Sequence, residues 1–344
     1  MNRRSWMLLA AAGLAALVLA TSNHALAEEV RLRYCHANTT SYPYHTAGIA
    51  FASALSAATS GEIDVTIFPR GQLGGERDIL KAVQDGKIDL QALSIGVLGN
   101  RIQVINALNL PFVFASPEHF IEVTTGEIGE EILSMAQTEG AAAGILVLAV
   151  AGPMFRMPMN GSRPIHSVED FRGMKIRTME VPLHRDVYRA LGATPVPLPF
   201  EEVYSALEDG VVDGNENGAS ALHANRFHEV QKYVSDLPVV SNSGALVMSA
   251  ASYKSLSSDQ QAAIHAAVAV WTGVMNADGL AQETEALEAM AEAGIEVSHV
   301  DDPSDFVAAT RSVYKKYMAD FSDAHRALVE RILASQPNHV KLPN

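Results

Sequence analysis

Along most of this chain, short stretches with the two-residue alternation of β-strands take turns with stretches of helical spacing that end at glycine. Residues 30–35 alternate like a strand, and residues 44–59 have helical spacing that ends before Gly61. Residues 62–69 alternate again, and helical spacing resumes over 74–86. Strands that alternate with helices predict βαβ units and a largely parallel sheet. The pattern therefore restricts the fold to the α/β class.

A second series of the same kind begins after the Gly152-Pro153 pair, and no low-complexity linker separates it from the first. The predicted strands of this series are 174–179, 194–198 and a short one over Val211–Asp213, and the predicted helices are 182–191 and 201–208. The chain is therefore expected to contain two α/β units rather than one repeated solenoid.

A long helix is predicted from Asp259 to about Ala293, where the helical pattern contains no proline. Ser258 or Asp259 is the expected N-cap, and Gly294 is the expected C-terminal stop. At ~1.5 Å per residue the helix is roughly 50 Å long, which is longer than a small domain is wide, so it should run across both units. Residues 306–333 predict one or two further amphipathic helices.

The N-terminus has the pattern of a cleaved secretory signal. Arg3 and Arg4 precede an apolar run of 15 residues, which ends in a polar break and the sequence Ala-Leu-Ala at 25–27. That run is shorter than the roughly 20 residues of a membrane-spanning helix. Cleavage after Ala27 would remove two arginines and no acid, taking the net charge from −14 to −16. So acidic a chain is a poor match for a nucleic acid, and its one cysteine, Cys35, allows no internal disulfide.

The usual signatures of enzymes are absent from the sequence. It contains no G-x-S-x-G elbow, no phosphate-binding P-loop, no G-x-G-x-x-G after a strand and no H-E-x-x-H. The histidines are scattered, and the single cysteine has no nearby base motif. The sequence therefore lacks the usual anchors of an enzyme, and we expect no catalytic residues, no cofactor and no metal.

Arg177 is the strongest candidate for a ligand contact. In the strand pattern 174–178, Met174, Ile176 and Thr178 share one face, and Arg177 points to the other. Near the carboxyl end of a parallel strand, that face opens toward the crevice where α/β sheets bind ligands. A planar guanidinium can hold a carboxylate by two parallel hydrogen bonds. The alternative is an ordinary salt bridge to Asp or Glu.

Two further residues, Arg156 and Asn217, are candidates. Arg156 lies among apolar neighbours just after Gly152-Pro153 and needs a partner, of which a ligand anion is one candidate. Asn217 ends the run Asp-Gly-Asn-Glu-Asn over 213–217 and offers both a donor and an acceptor. An ordinary turn asparagine is the alternative reading of this position.

Four motifs in the same order resemble those of one known family. They are QLGGER at 72–77, SVEDFRGMKIRT at 167–178, ALGA at 190–193, and PFEEVYSAL at 199–207 running into GVVDGNEN at 210–217. Over essentially the whole mature chain, the sequence resembles the DctP-type substrate-binding proteins of tripartite ATP-independent periplasmic (TRAP) transporters.

The resemblance implies a bilobal periplasmic-binding-protein fold, with two α/β domains joined by hinge strands and a long domain-spanning helix. The expected lobes are 28–153 plus about 242–282, and 154–241 plus about 283–310, followed by a helical segment over 311–344. Such a protein is a periplasmic, monomeric receptor that captures a small carboxylate, a sugar acid or a dicarboxylate, and delivers it to the permease subunits. A ligand sensor for a membrane kinase and an exported enzyme acting on organic acids are the alternatives.

The resemblance also implies roles for individual residues. Arg177 falls on the carboxylate-binding arginine of the family, Arg156 on a second arginine and Asn217 on the asparagine that ends the D-G-x-E-N motif. Phe200 would wall the pocket, and the first lobe would contribute Glu76, Ser94 and the loop from Asn38 to Tyr44. One departure concerns the residue after the motif, which is commonly proline in relatives and is Gly218 here; a glycine would leave the pose of Asn217 free.

Overall fold

The computed structural model describes residues 30–337, so the predicted signal sequence, residues 1–27, lies outside the described residues. The strands are β1 (Val30–Cys35), β2 (Ile63–Phe68), β3 (Leu90–Ser94), β4 (Ile145–Ala151), β5 (Phe155–Asn160), β6 (Lys175–Thr178), β7 (Thr194–Pro197), β8 (Gly214–Asn217), β9 (Tyr233–Asp236), β10 (Val240–Ser241), β11 (Gly244–Ser249) and β12 (Glu296–His299). The helices are α1 (Pro43–Ala58), α2 (Glu76–Gln84), α3 (Ile95–Gly99), α4 (Pro117–Thr125), α5 (Glu127–Ala142), α6 (Pro182–Ala190), α7 (Val203–Glu208), α8 (Ala219–Ala224), α9 (Ala250–Ser255), α10 (Ser258–Glu292), α11 (Ser304–Ala309), α12 (Arg311–Asp320) and α13 (Asp323–Ala334). Within residues 30–337, no helix is both long enough and apolar enough to cross a membrane.

Two mixed sheets form the framework, one in each lobe. The first lobe contains the sheet β2-β1-β3-β11-β4, and the second contains β12-β9-β5-β8-β6-β7 with β10 alongside β5. The βαβ prediction is confirmed for β1 with β2 and β3, and for β6 with β7 and β8, which pair in parallel. The prediction of a largely parallel sheet is wrong, because β11 and β5 run antiparallel to both of their neighbours in the interior of their sheets.

The two antiparallel strands are those by which the chain passes between the lobes. β4 in the first sheet leads through residues 152–154 into β5 in the second, and β10 leads through 242–243 back into β11. Both connections are short and contain no helix. At the first connection Gly152 has φ +90°, and a Cβ there would lie 2.9 Å from the methyl groups of Met154 and Met275. The backbone conformation therefore favours glycine at this connection, and the two methionine side chains would have to shift to admit a Cβ.

The predicted long helix is confirmed as α10. Its N-cap is Ser257 rather than Ser258 or Asp259, because Ser257 and Gln260 form a reciprocal capping box, and Gly294 follows its end with φ +92°. α10 packs on α1 in the first lobe and on α8 in the second. The hydroxyl of Thr46 in α1 donates to Asp278 at 2.6 Å. The helix therefore contacts both lobes.

The C-terminal helices also contact both lobes. α12 packs on α6 of the second lobe, where Lys316 Nζ lies 2.7 Å from Asp186 Oδ2. α13 packs on α5 of the first lobe, and the hydroxyl of Tyr314 donates to the carbonyl of Pro111 at 2.8 Å. The prediction of one or two helices over 306–333 is wrong in number, because the segment forms three helices, α11, α12 and α13.

The prediction of a strand over Val211–Asp213 is wrong, since β8 starts at Gly214. Asp213 instead ends a turn: its amide donates to the carbonyl of Lys175 at 2.8 Å, and its carboxylate accepts from the amide of Lys175 at 2.7 Å. Val211 is exposed, so its apolar character does not reflect burial in a sheet. The polar sequence Gly-Asn-Glu-Asn becomes a strand because β5 and β6 bind it from both sides.

Candidate functional site

The seven residues singled out from the sequence line one cavity between the lobes. Four of them lie in or just after strands: Asn38 follows β1, Ser94 ends β3, Arg177 is the third residue of β6, and Asn217 ends β8. Open α/β sheets bind ligands at the carboxyl ends of their strands. The cavity has a volume of about 40 Å³, and its lining is Ala37, Asn38, Tyr42, Tyr44, Glu76, Ser94, Arg156, Arg177, Met179, Phe200, Asn217 and Asn242.

Arg177 is a buried cation with no carboxylate partner among the described residues. Its Nε and Nη2 donate to the carbonyl of Leu198 at 3.0 and 2.7 Å, whereas the buried Nη1 has no partner. The guanidinium lies 5.9 Å from the centre of the Phe200 ring. Burial lowers the pKa of Arg177 to about 10, so the side chain is still charged at neutral pH. A buried charge of this kind is costly until an anion reaches it.

Arg156 differs, because the protein supplies its counterion. Nε of Arg156 pairs with Oε2 of Glu216, Nη2 donates to the carbonyl of Glu216 at 2.7 Å, and Nη1 donates to Oδ1 of Asn242. Burial alone would disfavour ionisation of Glu216, but the Arg156 guanidinium outweighs it and lowers the pKa of Glu216 to about 2. A ligand anion is thus not needed to satisfy Arg156, although the side chain lines the cavity.

Glu76 begins α2, and its side chain lines the cavity. Its Oε1 accepts a hydrogen bond from the amide of Ser94 at 3.2 Å. The residue is partly exposed, and its partial burial raises the pKa of Glu76 to about 7. Ser94 itself uses its hydroxyl to cap α3, accepting from the amide of Gly96 at 3.2 Å.

Asn217 is the last residue of β8 and not a turn asparagine, since it pairs with Met157 in β5. Its Oδ1 accepts from the amide of Gly218 at 3.0 Å, so its amide nitrogen is the group left for the cavity.

Phe200 opens a short 3₁₀ turn after β7. Asn38 is buried beside it in the lining, and its carbonyl accepts from the amide of Arg70 at 2.9 Å.

The prediction that Gly218 leaves the pose of Asn217 free is wrong, because this glycine fits a crowded position and its backbone conformation is ordinary. Its φ of −65° and ψ of 149° are ordinary for any residue. A Cβ would lie 2.5 Å from Nδ2 of Asn242 and 2.8 Å from Oε1 of Glu283. Glu283 reaches over from α10 and accepts from the amides of Ala219 and Ser220 at 2.9 and 3.0 Å. The backbone after Asn217 is therefore held in place by the long helix.

Sequence reasoning missed Asn242, Glu216 and Met179. Asn242 lies on the second connection between the lobes, where Oδ1 accepts from Arg156 and Nδ2 donates to the hydroxyl of Tyr42 at 3.2 Å. The only sequence signal for Asn242 is its place in the polar run Ser-Asn-Ser at 241–243, between two apolar stretches. Glu216 could have been found as an acid at an inward position of the strand, but its role depends on β5, which is distant in sequence.

The lobes touch around the cavity. Two wider grooves of about 460 and 330 Å³ share Phe200 with it, and the larger also shares Glu76 and Arg177. Across the larger groove, Nη1 of Arg77 in the first lobe lies 2.6 Å from Oε1 of Glu180 in the second. Pockets for drug-sized ligands have volumes of about 300 Å³ or more. A ligand with several carbons therefore needs the lobes to separate, or extends from the cavity into the larger groove.

Comparisons with known proteins agree on one family. The profile of the bacterial extracellular solute-binding proteins of family 7, DctP, matches residues 34–320. A solute-binding protein of Roseobacter denitrificans is 33% identical over 316 residues, 91% of this chain and 94% of that protein. The C4-dicarboxylate-binding periplasmic protein DctP of Rhodobacter capsulatus is 31% identical over 334 residues, 96% of this chain and 95% of that protein. A solved TRAP periplasmic solute binding protein from Roseobacter denitrificans, with bound β-D-glucuronate, has a TM-score of 0.84 at 29% identity, covering 89% of this chain and 100% of that one.

Proposed function

The chain belongs to family 7 of the bacterial extracellular solute-binding proteins, and we propose that it is the receptor of a TRAP transporter that captures a hydroxylated monocarboxylate. The observation that carries the ligand class is the buried guanidinium of Arg177, a residue that lines the cavity and whose Nη1 has no hydrogen-bond partner. A carboxylate can supply both the missing charge and the missing acceptors, and a neutral ligand cannot supply the charge.

Charge balance in the cavity favours one carboxylate over two. Arg156 is neutralised by Glu216, so Arg177 is the cation left for a ligand, and the remaining acid of the lining is Glu76. The other polar groups are neutral donors and acceptors suited to hydroxyl groups: Asn38, Tyr42, Tyr44, Ser94, Asn217 and Asn242. A second ligand carboxylate would be buried beside Glu76 without its own cation. Of the ligands named for the relatives, this lining suits glucuronate better than a C4-dicarboxylate.

Capture by closure follows from the placement of these groups. We assign residues 28–153 and about 242–282 to the first lobe, and residues 154–241 and about 283–310 to the second. Residues 311–344 form a C-terminal segment, of which 338–344 lie outside the described range. Arg177, Asn217 and Phe200 come from the second lobe and Glu76, Ser94 and Asn38 from the first. A ligand favours closure only through contacts that are better when the lobes are together, and a site divided between them meets that condition.

The proposal also covers the location of the protein, its oligomeric state and the fate of the ligand. After cleavage at Ala27 the mature protein works in the periplasm as a monomer and hands the acid to the membrane permease without chemical change. Mass measurement in solution tests the monomer, and sequencing the N-terminus of the exported protein tests the cleavage site. NMR of the acid recovered after long incubation tests the absence of turnover, since an enzyme would convert it.

Thermal unfolding of the ligand-stripped mature protein tests the ligand class. D-glucuronate, its neutral amide D-glucuronamide and the dicarboxylate succinate are compared at equal concentrations. A ligand at ~100 times its Kd adds about 2.7 kcal/mol to the free energy of unfolding, which is a readable shift in midpoint. We expect glucuronate to raise the midpoint and glucuronamide to leave it unchanged. Stabilisation by succinate alone would contradict the monocarboxylate class, and stabilisation by the amide would contradict the role of Arg177.

A further inference from the structure

Glu76 is the acidic residue of the cavity lining, and among the described residues it forms no ion pair. Its Oε1 accepts one hydrogen bond, from the amide of Ser94, and Oε2 accepts none from residues 30–337. The carboxyl group borders both the cavity and the larger groove, and Arg177 lines the same two spaces. A ligand whose carboxylate reaches Arg177 therefore places a second acid close to Glu76.

The groups around Glu76 do not compensate a second negative charge. Arg156 is bound by Glu216, and Arg177 is the cation that the ligand uses. Burial raises the pKa of Tyr42 and Tyr44, so both phenols stay neutral. The charged and titratable groups that face Glu76 from the surrounding elements, together with those on its own helix, are Arg156, Arg177, Glu201, Tyr42, Tyr44, Arg77, Asp78 and Lys81.

Two ionised carboxylates in one enclosed site repel each other, and the usual outcome is that one of them holds a proton. We propose that Glu76 binds the ligand as an uncharged carboxylic acid, donating its proton in a hydrogen bond to a ligand oxygen, so that capture of the acid takes up one proton from solution. This inference rests on the proposed function, because it requires an anion at Arg177. The neutral acid is both a donor and an acceptor, which suits a hydroxyl or carboxyl oxygen of the ligand.

The affinity should then depend on pH. Burial raises the pKa of Glu76 to about 7 in the free protein. Only the protonated fraction is competent to bind, and the observed Kd equals the intrinsic Kd divided by that fraction. The fraction falls from about nine-tenths at pH 6 to about one-tenth at pH 8, so the Kd should rise about tenfold. Burial lowers the pKa of His36 to about 4, so His36 is neutral over the same range, and burial also lowers the pKa of His45 and of His184.

Isothermal titration calorimetry with D-glucuronate provides the test. The Kd is measured at pH 6 and pH 8, and proton uptake at pH 8 is obtained from the difference in heat between phosphate and Tris buffers. For the wild-type protein we expect a Kd about tenfold weaker at pH 8, with about one proton taken up per ligand. Glu76→Gln keeps an amide donor in place of the acid, so its Kd should stay near the wild-type value of pH 6 at both pH values, without proton uptake.

Glu201→Gln is the matched control, since Glu201 lines the larger groove but not the cavity. It should keep the pH dependence of the Kd and the proton uptake, with the profile shifted slightly to lower pH, because the Glu201 charge helps to raise the pKa of Glu76. A wild-type Kd that does not change with pH, a pH slope that persists in Glu76→Gln, or folded Glu76→Gln that no longer binds would each overturn the role of Glu76 alone. If the wild-type protein bound neither glucuronate nor any other acid, the proposed function itself would fail, and this inference with it.

Discussion

The two arginines of the cavity should respond in opposite ways to replacement by methionine, although they lie in the same lining and are equally buried. In Arg177→Met the protein loses a buried charge that has no counterion. Burial lowers the pKa of Arg177 to about 10, and a fall of that size corresponds to roughly 3 kcal/mol of unfavourable free energy in the ligand-free protein. The substitution also leaves the Leu198 carbonyl without its two donors, which costs about 1–3 kcal/mol.

The two contributions nearly cancel, so the free energy of unfolding of ligand-free Arg177→Met should be unchanged or higher by up to about 2 kcal/mol. Binding of D-glucuronate should be lost, because truncating one partner of a buried charge pair costs about 2–5 kcal/mol. Arg156→Met instead leaves Glu216 buried without its counterion, and breaking such a pair destabilises a protein by about 3–5 kcal/mol.

Urea unfolding of the ligand-free variants measures both effects. Outside the predicted signal sequence the chain contains one tryptophan, Trp271, which is fully buried and donates to the hydroxyl of Tyr34 at 3.0 Å, so its fluorescence reports on loss of the core. Wild type, Arg177→Met and Arg156→Met are compared at pH 7, and calorimetry with D-glucuronate follows on the folded variants. Equal destabilisation by the two substitutions, or a loss of more than about 2 kcal/mol in Arg177→Met, would refute the charge assignment.

Three further predictions follow from the same contacts. Arg177→Lys should bind D-glucuronate about 30-fold or more weakly in calorimetry, because an ammonium cannot form the two parallel hydrogen bonds; affinity like that of wild type would exclude bidentate recognition. Gly218→Ala should lower the free energy of urea unfolding by about 1–3 kcal/mol, since its Cβ would lie 2.5 Å from Asn242, and an unchanged midpoint would show that this packing is loose. The ionised Glu216 contributes stability that is present above its usual pKa of 4.5 and is lost as the pH falls through about 2. Between pH 5 and pH 2, the wild-type protein should therefore lose stability more steeply than a variant that carries both Arg156→Met and Glu216→Leu. Parallel acid-unfolding curves for the two would contradict that assignment.

Much of the fold could be read from local patterns. The alternation of strands and helices, the glycines that end the helices and the single long helix are all confirmed, because each depends on residues close together in the chain. The position of Arg177 on the ligand-facing side of β6 follows from the same alternation. Phe200, Glu76, Ser94 and Asn38 came from the family resemblance, and the structure places all four in the cavity lining.

The errors fall where partners distant in sequence decide the outcome. β8 begins later than predicted because its polar residues become a strand only between β5 and β6. The directions of β5 and β11 depend on the two passages between the lobes, which no short pattern describes. The packing around Gly218 cannot be predicted from local sequence, because its close neighbours, Asn242 and Glu283, are distant in the chain.

By itself, the sequence determined the alternation of strands and helices in the βαβ units, the long helix, the presence of two α/β units and the position of a guanidinium at a strand end. Only the tertiary structure decided which arginine is left for a ligand, because the counterion of Arg156 is 60 residues away and its amide partner Asn242 is 86 away. The physical reason is the range of the forces involved. Backbone conformation is set by neighbours within a few residues, whereas the free energy of a buried charge depends on every group that folding brings within a few ångströms of it.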